Sequence, residues 1–227
     1  MKVFCIGDSL GLPRPGIAYE NTWFSMLKKE YSSIEFYPYF IRRLTTNPLR
    51  TIFSNYVCHF APNLVIIQLG ICDCAPRIIN KDKMFWKIYF KAFESLGASE
   101  IGWRIVKKLF RRNNPRRVEV SIQRFKNNIE SFVKECKYNN IKVLYVLIGR
   151  PAMSISERSP FLSNNVVRYN ECIEALSQEY PETITIINPL QSGDIDDYLS
   201  DGYHTTIKGA NKVFEAIKNT TLFDNSL

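Results

Sequence analysis

Short apolar runs alternate along this chain with stretches of helical periodicity. Residues 2–6 run apolar and stop at Gly7, as a strand buried on both faces does. Within residues 20–31, Trp23, Met26 and Leu27 fall at helical spacing. Residues 33–39 (SIEFYPY) read as a second strand. Asn47-Pro48 predicts a helix start, because Asn favours the cap and Pro the first turn, and that helix runs to about His59. Residues 63–69 (NLVIIQL) are apolar, rich in β-branched side chains and closed by Gly70, a third strand. Residues 119–138 place Val120, Ile122, Phe125, Ile129, Phe132 and Val133 on or near one helical face. A fourth strand at 141–148, a helix around 161–179, a fifth strand at 183–187 and a helix at 207–218 complete the pattern, with no internal repeat.

Strands alternating with helices predict an α/β fold whose central parallel sheet is covered on both faces. Ligands of such sheets bind beyond the carboxyl ends of the strands. That rule singles out Gly7-Asp8-Ser9, Gly70-Ile71-Cys72-Asp73 and Gly149-Arg150-Pro151, each directly after an apolar run. One stretch breaks the alternation. Residues 74–118 are too long for an ordinary strand-to-helix loop. They read as two helices, about 82–96 and 99–111, linked by Gly97. We therefore expect one domain over residues 1–227 with a helical insertion at about 74–118.

Composition excludes several classes. The 227 residues are 45% hydrophobic and 23% charged, which is not the make-up of a disordered chain. No apolar run approaches the roughly 18 residues of a membrane-spanning helix. The N-terminus ends its apolar run in Gly-Asp, unlike a signal peptide, so the expected compartment is the cytoplasm and the six cysteines are expected as thiols. Cys72-x-Cys74 has no second cysteine pair, and the chain has only two histidines, so no metal is expected. The net charge of +8 permits anionic partners. Between Cys74 and Val118 lie 12 Lys+Arg against 3 Asp+Glu, with Phe85, Trp86, Tyr89, Phe90, Phe93, Trp103 and Phe110 among them. We read this first as a helical cap with an aromatic core and a solvated basic face. Second comes a contact with an anionic membrane surface through 82–111; a dimer interface or a substrate lid would use the same surface. No nucleic-acid-binding motif accompanies the charge. Oligomeric state is not set by the sequence.

Ser9 follows the first strand, and Asp201-Gly202-Tyr203-His204 lies near the other end. Serine becomes a nucleophile when a base takes its proton, and histidine oriented by an acid is the usual base. Asp201 and His204, three apart, can point into one cleft. His59, in a predicted helix beside Tyr56, Val57 and Phe60, reads as structural. Asp8 and Asp73 read as acceptors for loop amides, and Cys72 lacks a histidine to activate it.

The tetrapeptide GDSL, the C-terminal Asp-x-x-His and a Gly-x-x-Asp after the third strand resemble the SGNH/GDSL hydrolases, over nearly the whole chain. That resemblance implies a flavodoxin-like three-layer α/β/α fold of about five parallel strands and ester hydrolysis through an acyl-enzyme. It makes Ser9 the nucleophile, His204 the base and Asp201 its orienting acid, without metal or cofactor. The Gly-x-Ser-x-Gly elbow of the α/β-hydrolases is absent. Two departures concern the oxyanion hole. Cys72 stands where the family has an Asn donor, and a thiol donates weakly. Residues 33–69 hold no Gly to supply the second-block N–H, leaving the Ser9 N–H and an unplaced amide near Arg43 to Thr46. Arg14, Arg77 and Arg150 follow three of the strand-end loops. They read equally as oxyanion or substrate ligands, together with Gly70, Cys72 and Asp73, and as caps on loop carbonyls. GICDCAPR is similar to a variant in SGNH-like proteins of bacterial surface-polysaccharide gene clusters. The resemblance implies removal of an acetyl or other short acyl group from a carbohydrate or glycolipid, in the cytoplasm or at the inner face of the membrane. Acyl transfer to a sugar hydroxyl from acyl-CoA, and a non-catalytic module of a polysaccharide-assembly complex, are the rivals.

Overall fold

The computed structural model describes residues 1–77, 84–110, 117–153, 160–199 and 201–226. Five strands, β1 (Lys2–Gly7), β2 (Glu35–Phe40), β3 (Leu64–Gln68), β4 (Lys142–Val146) and β5 (Ile184–Ile187), form one sheet in the order β2-β1-β3-β4-β5. Every pairing is parallel. Parallel neighbours need crossovers, and these are helical: α1 (Trp23–Glu30), α2 (Leu49–Ile52, a π-helical Phe53–Val57, then Cys58–Phe60), α6 (Ile122–Tyr138) and α7 (Pro160–Glu179). A one-turn helix α3 (Ile71–Cys74) follows β3, and α8 (Ile207–Lys218) comes after β5.

Alternation along the strands divides the core. Phe4, Ile6, Val65, Ile67, Val143 and Tyr145 pack with the inner faces of α2, α6 and α7. Val3, Cys5, Leu64, Ile66, Leu144 and Val146 pack with α1 and α8. Burying each such side chain contributes about 1.5–3 kcal/mol, which explains why strand identity was readable from apolar runs. Helix boundaries moved slightly. Helix α1 begins at Trp23, where the Thr22 hydroxyl accepts the Ser25 N–H at 3.2 Å. Helix α2 begins at Leu49 with Pro48 at the boundary, and Asn47 supplies no cap. The Asn47 side chain instead accepts from Asn128 Nδ2 at 3.4 Å.

The insertion contains a hairpin of α4 (Met84–Ser95) and α5 (Ser99–Phe110); residues 82, 83 and 111 of the expected helices lie outside the described residues. Gly97, at φ 63, makes the turn between them, and the Ala98 N–H closes it on Phe93 O at 2.8 Å. Trp86, Tyr89, Phe90, Phe93 and Trp103 stack among themselves, and the Tyr89 hydroxyl donates to Gly102 O at 3.1 Å. The expected aromatic core is thus internal to the hairpin. A second set, Met84, Phe85, Ile88, Ile101, Ile105 and Leu109, is exposed.

Candidate active site

Strand order reverses beside β1: the chain goes to β2 on one side and to β3 on the other. The carboxyl ends of β1 and β3 therefore border a crevice, the usual ligand position of a doubly wound sheet. Ser9 follows β1, Arg42 and Arg43 follow β2, and Ile71, Cys72, Ala75 and Arg77 follow β3. With Leu162, Tyr203 and His204 these residues line an open cleft of about 530 Å³, within the size range of small-molecule sites. None of the described residues of α4 or α5 lines it.

The spacing Asp201-x-x-His204 has a local cause. Asp201 Oδ1 accepts the N–H groups of Tyr203 at 3.2 Å and His204 at 3.0 Å, the side chain shaping its own turn. Its other oxygen is 2.5 Å from His204 Nδ1. The carboxylate thus fixes both the loop and the ring. His204 Nε2 lies 2.9 Å from Ser9 Oγ. With the Nδ1 proton given to Asp201, Nε2 is left to accept the Ser9 hydroxyl proton. Burial raises the Asp201 pKa, but the bonds from His204 and Tyr203 outweigh it and hold the carboxyl below its ordinary value. Burial lowers the His204 pKa, the bond to Asp201 opposes this, and the charges of Arg14 and Arg42 lower it further. A neutral imidazole is the form a general base needs.

The loops are held by buried carboxyls. Asp8 accepts the Leu10 N–H at 2.8 Å, which turns the chain at Ser9. Asp73 Oδ1 accepts the Thr46 N–H at 2.9 Å and the Thr46 hydroxyl at 2.6 Å, tying the loop after β3 to the loop after β2. Burial pushes Asp8 up to about 7 and Asp73 up to about 6. Gly70 has φ 122, and a Cβ there would stand 2.5 Å from Ile148. Only glycine fits that turn.

Cys72 Sγ lies 3.5 Å from Asp8 Oδ2, so its single hydrogen is directed there. Burial, with Asp8 beside it, pushes the thiol pKa up, which removes it as a nucleophile. Although residues 33–69 hold no glycine, the loop after β2 contains a glycine-like turn that the sequence did not place. Residues 41–44 form a turn closed by the Leu44 N–H on Ile41 O at 3.1 Å, with Arg43 at φ 65. Glycine or asparagine is the usual residue in that conformation. Among the described residues, neither the Ser9 N–H nor the Arg43 N–H has a hydrogen-bond partner.

The expected arginines divide. Arg14 donates through Nη2 to Ser9 O. Arg77 Nη2 donates to Cys72 O at 2.9 Å, and its Nε lies 3.2 Å from Glu119 Oε2. Both cap loop carbonyls. Arg150 is exposed and is not among the residues lining the cleft. Its N–H pairs with Leu190 O at 3.0 Å and its side chain lies beside Gly193, so it belongs to the β4–β5 side of the sheet edge. Arg42, Leu162 and Tyr203 were not singled out by the sequence. Only Tyr203 carried a signal, its place between Asp201 and His204; its ring lies 4.3 Å from the imidazole.

All six cysteines are free, and among the described residues no group of three His, Cys, Asp or Glu is placed to hold a metal. No helix among the described residues is long and apolar enough to cross a membrane.

No family sequence model matches the chain, and no curated protein matches it by sequence. Solved structures do match. A lipase/acylhydrolase from Enterococcus faecalis is 12% identical with a TM-score of 0.65, over 95% of this chain and 92% of that one. A GDSL-like lipase from Bacteroides thetaiotaomicron is 18% identical with a TM-score of 0.63, over 100% and 89%. An acetylxylan esterase from Geobacillus stearothermophilus is 15% identical with a TM-score of 0.63, over 95% and 91%. With a five-stranded parallel sheet in the order 2-1-3-4-5 and these neighbours across its whole length, the chain has the fold of the SGNH/GDSL hydrolases.

Proposed function

We propose that this protein is a serine esterase that removes a short acyl group, acetyl first among them, from a carbohydrate. The observation that carries this reading is the unbroken relay from Ser9 Oγ through His204 to Asp201, at 2.9 Å and 2.5 Å, opening on a cleft. Ser9 Oγ attacks the ester carbonyl carbon as its proton passes to His204 Nε2. The alkoxide of the tetrahedral intermediate is met by the Ser9 and Arg43 N–H groups. His204 returns the proton to the departing sugar oxygen, leaving an acyl-Ser9. Water, deprotonated by the same imidazole, then releases the carboxylic acid and restores Ser9. Asp201 holds the tautomer and stabilises the imidazolium. The acetylxylan esterase among the structural neighbours supports acetylated carbohydrate as substrate class.

Intact mass after exposure to a fluorophosphonate tests this. One adduct on the wild type and none on Ser9→Ala is expected. No adduct on folded wild-type protein would replace the esterase with a non-catalytic binding module.

The exposed apolar rows of α4 and α5, with Lys87, Lys91, Arg104 and Lys108 beside them, support a peripheral contact with an anionic membrane surface, where a glycolipid substrate is met. Co-sedimentation with anionic vesicles, lost in the Ile88→Asp/Ile105→Asp variant, is the expected result. Equal sedimentation of both proteins would remove this contact.

A further inference from the structure

The cleft carries more positive charge than the relay needs. Arg42, Arg43 and Arg77 all line it beside Ser9 and His204. Arg77 donates to Cys72 O and forms an ion pair with Glu119. Arg42 makes one bond, from Nη2 to Pro13 O at 3.2 Å, and Arg43 makes none from its side chain among the described residues. Both are exposed. No carboxylate among the described residues pairs with either. The acidic groups nearby are committed elsewhere: Asp201 to His204, Glu119 to Arg77, and Asp8 and Asp73 to buried loop amides. Two consecutive arginines on one tight turn, both lining the cleft of a nucleophile site and neither paired with a carboxylate among the described residues, make a binding element for a planar or tetrahedral oxyanion. The same cleft presents the partly exposed ring of Tyr203, with the largely buried Leu162 and Ile71 at its wall. The Tyr203 ring suits the apolar face of a sugar ring.

Resting on the esterase reading, we infer that the substrate is an anionic acylated sugar, its carboxylate or phosphate seated on the guanidinium groups of Arg42 and Arg43 while its ester lies at Ser9. The backbone turn supports the assignment. Arg43 keeps φ 65, where a residue with a side chain is strained by about 1–2 kcal/mol. Strain of this kind persists where the surroundings hold it and clusters at ligand sites. A bound anion has a second consequence. Arg42 is one of the charges that lower the His204 pKa, so an anion on Arg42 offsets that field and makes the imidazole a stronger base when substrate is present.

The test compares kcat/KM for three probes, an O-acetylated methyl glucoside, the matching methyl glucuronoside and the matching glucose 1-phosphate. At least one anionic probe is expected to be preferred by about tenfold or more, with the preference shrinking as ionic strength rises. Arg42→Gln lowers the anionic-to-neutral ratio by about tenfold, and Arg42→Lys restores part of it. Which of the two anions wins identifies the carboxylate or the phosphate as the natural group. Calorimetric titration of Ser9→Ala with glucuronate, glucose 1-phosphate and glucose reads the same site without turnover. Saturable binding of an anion, absent for glucose and lost in Ser9→Ala/Arg42→Gln, supports the anion site even where the wild type proves inert towards every ester. Hydrolysis of all three probes at equal rates, with no anion binding by Ser9→Ala, overturns the inference and leaves the esterase standing.

Discussion

Helix α6 and the α4–α5 hairpin are neighbours in sequence and both carry aromatic residues at helical spacing, yet they spend them differently. Helix α6 buries Phe125, Ile129, Phe132, Val133 and Cys136 against the sheet and α2. Helix α4 buries none of its residues fully; its aromatics meet those of α5, and Met84, Phe85 and Ile88 remain exposed. The difference teaches that an apolar row identifies a helix but not its partner. A sheet offers one wide apolar face, so a single row suffices. A two-helix hairpin can cover only one row per helix, and a second row stays open for something else. The cleft belongs to the first region in its frame and to neither in its chemistry, because its lining comes from loops that the sheet and its helices merely position.

The contrast can be broken at several levels. The largest expected effect is in the cleft: Ser9→Ala and His204→Ala each lower ester hydrolysis by at least about 10³-fold while leaving the thermal midpoint near the wild-type value. Equal activity in Ser9→Ala would remove the relay from the mechanism. Next comes the body. Phe132→Ala, at a site 1% exposed, costs about 3–5 kcal/mol in denaturant unfolding. A loss below 1 kcal/mol would mean that α6 is not the structural helix its burial describes.

A third effect joins stability to pH. The folded-state pKa of Asp8 lies at about 7, above its unfolded value, so its contribution is fully present below pH 4 and is lost as pH rises through about 7. Three units correspond to about 4 kcal/mol. Asp8→Asn therefore gains stability relative to wild type between pH 4 and pH 8, read from paired unfolding curves; parallel pH profiles would contradict the buried, protonated carboxyl. Smaller again is the oxyanion change. Cys72→Asn supplies a stronger donor where the thiol faces Asp8, and we expect kcat to rise about tenfold, short of the 10²–10³ that loss of a native donor costs. An unchanged kcat would place the intermediate out of reach of residue 72. The smallest effect is in the hairpin. Ile88→Ser, at a residue 62% exposed, shifts stability by less than about 0.5 kcal/mol. A shift comparable with that of Phe132→Ala would show the hairpin row to be covered.

The five strands and the order of helices were legible because both faces of the sheet are covered, which writes each strand as an apolar run. Asp201 and His204 were legible because their spacing is local, Asp201 capping the turn that presents His204, and Ser9 because Asp8 turns the chain there directly after β1; that Ser9 meets His204 is a contact across 195 residues. Arg42 and Tyr203 were not, because nothing in a turn or between two motif residues marks a side chain as facing a cleft. Arg150 was placed on the active face by its position after a strand, whereas a sheet edge is wide and its β4–β5 end lies outside the cleft lining.

By itself the sequence determined which segments are strands, which are helices and which turns carry Ser9, Asp201 and His204, since periodicity, caps and short turns act within a few residues. Only the tertiary structure decided that Arg43 occupies the glycine-like conformation, that Cys72 turns its hydrogen to Asp8, and that Arg42 and Arg43 line the cleft of Ser9 with no carboxylate partner among the described residues. Those properties depend on which loops the sheet order brings together, and separation in sequence carries no record of that.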